Sequence, residues 1–238
     1  MTGHFFSKRY APYRLLASII LIAVTAITAY AAYTVQRPIT DNGGKINQNY
    51  LYGTEYAGDK HRGVDFSYAT GTSVRAVAPG RVMAIYELVD DGQNTAGAFG
   101  NYVMVRHDQR QYDRTAGQLA YVYSIYAHLQ HNSVSVNVND MVSAGQVIAR
   151  SNETGNTHGP HLHLQINLST DPNRNNPEDW NWSENTSRNP ELWLTPFNYG
   201  GTATASAVGK VADANGNPVG GLRIEGMQKP ASAIYGTY

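Results

Sequence analysis

Five residues have types and spacings that could do chemistry together: His61, Asp65, His128, His161 and His163. In the run HLHLQI (161–166), strand geometry sends residues i and i+2 to one face. His161 and His163 then project together with Gln165 behind them, while Leu162, Leu164 and Ile166 face a core. One strand thus presents a metal ligand and a catalytic group side by side, although spacing leaves open which histidine is which. Pro160 fixes the approach to this strand, and Gly155 and Gly159 permit a tight loop before it. The run HRGVD (61–65) offers a second ligand pair. Its Gly63 argues against a helix, so a turn has to bring His61 and Asp65 to one point. Two histidines and one carboxylate with an open fourth position suit a catalytic zinc ion. Such an ion lowers the pKa of bound water to about 7, which supplies hydroxide at neutral pH. Alternation along residues 121–128 puts Ser124, Tyr126 and His128 on one face, where His128 could meet that water or a developing oxyanion.

Taken singly, each fragment has a structural reading. An H-x-H pair is common, and HRGVD is weaker still. His107 and His131 read as solvent-facing or satisfied by neighbours. His158 could contact substrate but reads better as a plain loop histidine.

These residues must be held by a fold, and composition narrows which. The chain has 238 residues, 42% of them hydrophobic, enough for one medium domain with additions. Lysine and arginine number 18, and so do aspartate and glutamate, which removes the electrostatic case for nucleic acid binding. There is no cysteine, so disulfides and thiolate metal sites are excluded and any transition-metal site must use nitrogen and oxygen. Abundant Gly (23) and Tyr (17) against scarce Phe (5) favour turn-rich β structure. No long segment after residue 33 keeps a helical period, so the class is mostly β.

The elements follow. VRAVAPGRVMAIYE (74–87) predicts a hairpin around Pro79-Gly80. NYVMVRH (101–107) and YVYSIYAHL (121–129) are strands, with a polar loop over 108–120 between them. MVSAGQVIAR (141–150) is a short turn and strand, and HLHLQI another strand. Residues 171–190, with Trp180 and Trp182, read as a long surface loop or a lid. Trp193 reads as closing the core.

The N-terminus carries Lys8, Arg9 and Arg14 and no acid, then 19 uncharged residues over 15–33. That is an export signal, either a retained anchor or a cleaved peptide with Ala29-Tyr30-Ala31 as its A-x-A site. The basic flank places the rest of the chain outside the cytoplasmic membrane.

Residues from about 50 to 196 resemble the lysostaphin-type zinc endopeptidases, which cleave peptide links in bacterial peptidoglycan. The pieces stand in order: HRGVDF (61–66), GTSVRAVAPGRV (71–82), GNYVMVRH (100–107), YSIYAHL (123–129), AGQVIARSNETGNTHGPHLHLQI (144–166) and RNPELWL (188–194). The resemblance implies a compact antiparallel β-sheet domain with long loops around a groove. It implies Zn2+ held by His61, Asp65 and His163, with His161 as general base on the zinc-bound water. His128 would position that water or stabilise the oxyanion. Gln165 stands where an acidic residue is frequent in the family, and Ser151 and Asn152 replace small positions. The loops over 88–98 and 108–120 are long.

The expected organisation is a signal anchor or signal peptide (1–36), a linker (37–49), the peptidase domain (50–197), a second linker (198–207) and a β-hairpin (208–238). The hairpin resembles the opening of carboxypeptidase-regulatory-like β-sandwich domains. The expected function is zinc-dependent hydrolysis of peptidoglycan cross-links, at the outer face of the membrane or secreted to the wall. Its membrane contact is the N-terminal segment, if uncleaved. Two other readings share the fold: a non-catalytic wall-binding or amidase-activating module, and a metallopeptidase acting on exported proteins.

Overall fold

The computed structural model describes residues 34–47, 49–56, 58–92, 99–178, 186–196, 198–199 and 202–203. Residues 1–33 of the expected signal or anchor, the terminal hairpin, and Trp180 and Trp182 lie outside these residues. Among the described residues no helix is long and apolar enough to cross a membrane.

Antiparallel strands dominate, as the aromatic and β-branched runs require. In chain order they are β1 (Glu55–Tyr56), β2 (Asp59–Lys60), β3 (Val64–Phe66), β4 (Ser73–Arg75), β5 (Gly80–Tyr86), β6 (Tyr102–Asp113) and β7 (Gln118–Ala127). Then come β8 (Met141–Val142), β9 (Val147–Arg150), β10 (Leu162–Ser169), β11 (Ser187–Arg188), β12 (Asn198–Tyr199) and β13 (Thr202–Ala203). The main sheet runs β11-β10-β7-β6-β5-β8, and β3 also pairs with β10. β3 and β11 share one edge of β10: β3 lies beside residues 162–164 and β11 beside 166–167. Separate small sheets join β1 with β2, β4 with β9, and β12 with β13.

The central strands are buried on both faces. One face carries Phe99, Tyr102, Met104, Tyr123, Ile125 and Ala127. The other carries Val103, Val105, Tyr126, Leu162 and Leu164, with β4 and β9 nearby: Val77 N–H donates to the Tyr126 hydroxyl at 2.7 Å.

Several expectations need correction. Pro79-Gly80 does not turn a hairpin, because β4 pairs with β9 while β5 pairs with β6 and β8. The chain crosses there from the small sheet to the large one. Gly80 is a strand residue, and a Cβ on it would lie 2.3 Å from the Arg106 carbonyl oxygen.

The stretch 108–120 is not a loop. β6 and β7 continue through it, and only residues 114–117 turn, with Gly117 at φ +67. Its polar sequence hid the strands because they run beyond the core, where Asp108, Gln109 and Arg110 are exposed and alternation vanishes.

Residues 37–49, expected as a linker, are built into the domain through buried Ile39 and Ile46. Val35 forms a parallel bridge with Leu194. Leu194 closes the core at this end, whereas Trp193 is only half-buried. The linker expected over 198–207 begins with the short β12–β13 pairing.

Candidate metal centre

β3 and β10 explain how distant residues meet. Residues paired across antiparallel strands share a face. Asp65 pairs with His163, so both side chains stand on the same side of the sheet. His163 Nδ1 is 3.0 Å from Asp65 Oδ1. His61 enters just before β3, and its Nε2 lies 3.2 Å from Asp65 Oδ1 and 3.1 Å from His163 Nδ1. Gly63 makes this approach feasible, since any Cβ there would fall 2.5 Å from His163 Cε1 and 2.5 Å from the Leu164 carbonyl oxygen. Glycine is therefore a packing requirement of the HRGVD run.

The donor set fits a metal ion. His61 Nδ1 faces the Leu51 carbonyl oxygen at 3.2 Å, which accepts only, so Nδ1 carries the proton and Nε2 is a lone pair. That lone pair, His163 Nδ1 and a carboxylate oxygen converge with at most one proton to share. Burial opposes ionisation of Asp65, but the adjoining imidazoles of His163 and His61 outweigh it and hold its pKa well below the usual carboxylate range. Tetrahedral zinc with bonds near 2.0–2.1 Å spaces its ligand atoms about 3.3–3.4 Å apart. The observed 3.0–3.2 Å is a few tenths tighter. Among the described residues, His61, Asp65 and His163 are the group identified as able to hold a metal, and all three are buried.

His161 and His128 stand beside this triangle. His161 Nε2 is 3.7 Å from Asp65 Oδ2, and its Nδ1 donates to the Gly159 carbonyl oxygen at 2.8 Å, with Thr157 Oγ1 at 3.2 Å. Gly155 and Gly159 both adopt positive φ in the loop before β10. The His128 ring lies 4.6 Å from that of His161 and 5.9 Å from that of His163, centroid to centroid.

Strict alternation fails at His128. Ala127 pairs with His163 and Tyr126 with Leu164, so the face of Ser124 and Tyr126 is opposite the metal site. His128 escapes that face because β7 ends at Ala127 and the backbone flips to φ +59. A left-handed conformation costs a non-glycine residue about 1–2 kcal/mol. His128 Nδ1 donates to the Thr154 carbonyl oxygen at 2.8 Å. Burial, then the neighbouring His161 and His163, push its pKa down to about 3, so the ring is neutral.

All five residues line one cleft of about 480 Å³. Gln165 reaches it from behind His163, as expected, with its Nε2 donating to Asn167 Oδ1 at 2.8 Å. His158 also lines it. The described parts of the 171–190 loop do not; Asp171 instead accepts from the Tyr123 hydroxyl at 2.6 Å. His107 is satisfied by neighbours: its ring nitrogens lie 2.9 Å from the Pro79 carbonyl oxygen and 2.9 Å from Ser124 Oγ. His131 sits beside exposed Asp90 at 3.8 Å.

Three contributors were not legible in the sequence. Tyr50 stacks on His61 at 4.1 Å with 16° between the rings. No local signal announces it. Thr154 fixes His128 through its carbonyl group, and Asn101 is buried beside it. The Gly100-Asn101 pair ahead of a strand and the Thr154-Gly155 pair in the loop were the available hints.

Residues 59–177 match the model of peptidase family M23. The chain is 31% identical over 152 residues to the glycyl-glycine endopeptidase ALE-1 of Staphylococcus capitis, covering 63% of this chain and 33% of that protein. It is 30% identical over 152 residues to lysostaphin of Staphylococcus simulans, covering 62% and 24%. It is 31% identical over 112 residues to the DD-carboxypeptidase/endopeptidase Mpg of Neisseria meningitidis serogroup B, covering 47% and 21%. The matched regions thus span about a fifth to a third of these relatives' length.

Proposed function

The chain belongs to peptidase family M23, and from that premise we propose that it is a zinc-dependent endopeptidase hydrolysing peptide cross-links of bacterial peptidoglycan. The observation that carries this reading is the convergence of three donor atoms, 3.0–3.2 Å apart, beside two further imidazoles. Bound by His61, Asp65 and His163, zinc would supply a Lewis acid that polarises a carbonyl and makes water nucleophilic at neutral pH.

The remaining work falls to this chain's own residues. His161, with its Nδ1–H committed to the Gly159 carbonyl group, offers Nε2 as the base that takes the proton of the attacking water. Microscopic reversibility lets the same nitrogen return that proton to the leaving amine. His128 has its Nδ1–H committed to Thr154, so its Nε2 is also an acceptor. It orients the water by accepting a hydrogen bond, and it can donate to an oxyanion only after gaining a proton. That tautomer favours the water-positioning role over the oxyanion role. Asp65 stands beside both groups, with Oδ1 3.0–3.2 Å from His163 Nδ1 and His61 Nε2 and Oδ2 3.7 Å from His161 Nε2.

The cleft lies on the part of the chain that follows the basic and apolar N-terminal segment. We assign the activity to the outer side of the cytoplasmic membrane, anchored there or released to the wall. The relatives named above are a glycyl-glycine endopeptidase and a DD-carboxypeptidase/endopeptidase, so both glycine-rich and D-amino-acid links belong in the assay. Zinc-loaded full chain is incubated with purified peptidoglycans of both cross-link types and with an exported-protein substrate. New amine termini from peptidoglycan support the reading. Release from neither peptidoglycan, or cleavage of the protein substrate alone, overturns it.

A further inference from the structure

His128 needs a support that strand geometry does not provide, and we infer that Asn101 is a positioning residue that, with Thr154, fixes the orientation and tautomer of His128. The inference rests on the proposed role of His128. Alternation alone would turn His128 to the Tyr126 face, away from His163, and the left-handed backbone at φ +59 is what redirects it. Something must hold that conformation in place.

Asn101 is fully buried. Its side-chain oxygen accepts from Val89 N–H at 2.9 Å, and its amide donates to the Val89 carbonyl at 2.7 Å and the Leu129 carbonyl at 3.3 Å. Its backbone N–H donates to Thr154 Oγ1 at 3.0 Å, and its carbonyl accepts from Leu129 N–H at 3.0 Å. Thr154 Oγ1 in turn donates to the Leu129 carbonyl at 2.8 Å. These bonds close a ring through Asn101, Leu129 and Thr154.

His128 is seated on that ring. Its N–H donates to the Phe99 carbonyl at 2.9 Å, its carbonyl accepts from Asn152 N–H at 2.9 Å, and its ring Nδ1 donates to the Thr154 carbonyl at 2.8 Å. The Thr154 carbonyl can set the tautomer only if Thr154 itself is fixed, and the fixing bonds run to Asn101 and Leu129. Gly100 completes the seat: at φ +58 it passes so close that a Cβ would lie 2.2 Å from the Thr154 carbonyl oxygen. A fully satisfied buried polar network of this kind holds one geometry, and partial loss loosens all of it.

The test uses the full chain with Asn101→Ala and, as a near-isosteric second variant, Thr154→Val. For either variant, kcat on peptidoglycan should fall about tenfold to a hundredfold with KM changed less than about twofold and zinc content retained. Nitrogen-15 NMR of the zinc-free protein should show His128 leaving the Nδ1–H form for a mixture of tautomers. Thr154→Ser, which keeps the hydroxyl, should recover most of the loss. An unchanged His128 tautomer in both variants, or kcat lost only in proportion to unfolded protein, overturns the inference. A fully active His128→Ala chain would instead overturn the role of His128 on which it rests.

Discussion

Gly63 is the residue on which the convergence of His61, Asp65 and His163 most narrowly depends. A methyl group there would overlap the His163 ring and the Leu164 carbonyl group, and neither can retreat without breaking the β3–β10 pairing. Gly63→Ala should cost about 1–3 kcal/mol of stability through overpacking and about tenfold or more in zinc affinity. Equilibrium dialysis against a zinc buffer reads the second, and unchanged affinity would refute the packing argument. His107 supplies a separate test, since it is fully buried and far from the ligand set in the chain. Burial pushes its pKa from 6.5 down to about 4. The folded state thus prefers the neutral ring. Its stabilising contribution is whole above about pH 6.5 and is lost as pH falls through about 4, roughly 3 kcal/mol in all. The urea-denaturation gap between the parent and His107→Gln should therefore narrow from pH 7 to pH 5, and a constant gap would contradict the assignment. At this scale the pairing of His161 with His163 was legible because H-x-H on a strand shares one face, whereas the spacing of HRGVD fixed no face and the division into ligands and base came from the family resemblance. The face of His128 was not legible, because one positive φ reverses the alternation it was read from.

The β6–β7 hairpin shows what an element's sequence can conceal. Tyr112 and Leu119 are paired across its tip and are 60% and 56% exposed. Behind the tip, Arg110 lies over the Tyr121 ring at 4.1 Å, and beside the turn Asp113 accepts from Arg188 at 2.7 Å, tying the hairpin to β11. β7 runs from this tip to Ala127, next to His128, so the tip and the cleft lie at opposite ends of one strand. Replacing Tyr112 and Leu119 together by threonine should leave peptide hydrolysis unchanged and shift stability by less than about 1 kcal/mol. Activity loss beyond about twofold would show that the tip takes part in the reaction. Hydrophobic alternation exposes a strand only where one side meets a core and the other meets water. Here the Tyr112–Leu119 side meets water and the other side buries Asp113 against Arg188, so no apolar row forms, and the two residues that would have betrayed the pairing read as isolated apolar side chains in a polar stretch.

At the scale of the whole molecule, the segment before the cleft is part of the fold. Val35, Ile39 and Ile46 are buried, and Val35 exchanges backbone hydrogen bonds with Trp193 and Thr195 from the far end of the domain. Each buried aliphatic side chain contributes about 1.5–3 kcal/mol, so together they approach the 5–15 kcal/mol total of a typical domain. A chain beginning at residue 34 should unfold cooperatively, and one beginning at residue 49 should not; cooperative melting of the shorter chain would refute the integration of this segment. Its polar, Pro- and Gly-containing sequence reads as a linker because three apolar residues spread over twelve positions show no period. The β class and the central strands were legible from composition and alternation, whereas the crossing at Pro79-Gly80 was not, since two apolar runs around a Pro-Gly pair do not say which partner each run takes. The claim that unites these scales is the zinc site, and metal content tests it most directly. Mass-spectrometric analysis of the full chain after dialysis against zinc should find one zinc per chain, lost in both Asp65→Ala and His163→Ala. A folded chain that retains no zinc, or variants that retain as much as the parent, would contradict the account.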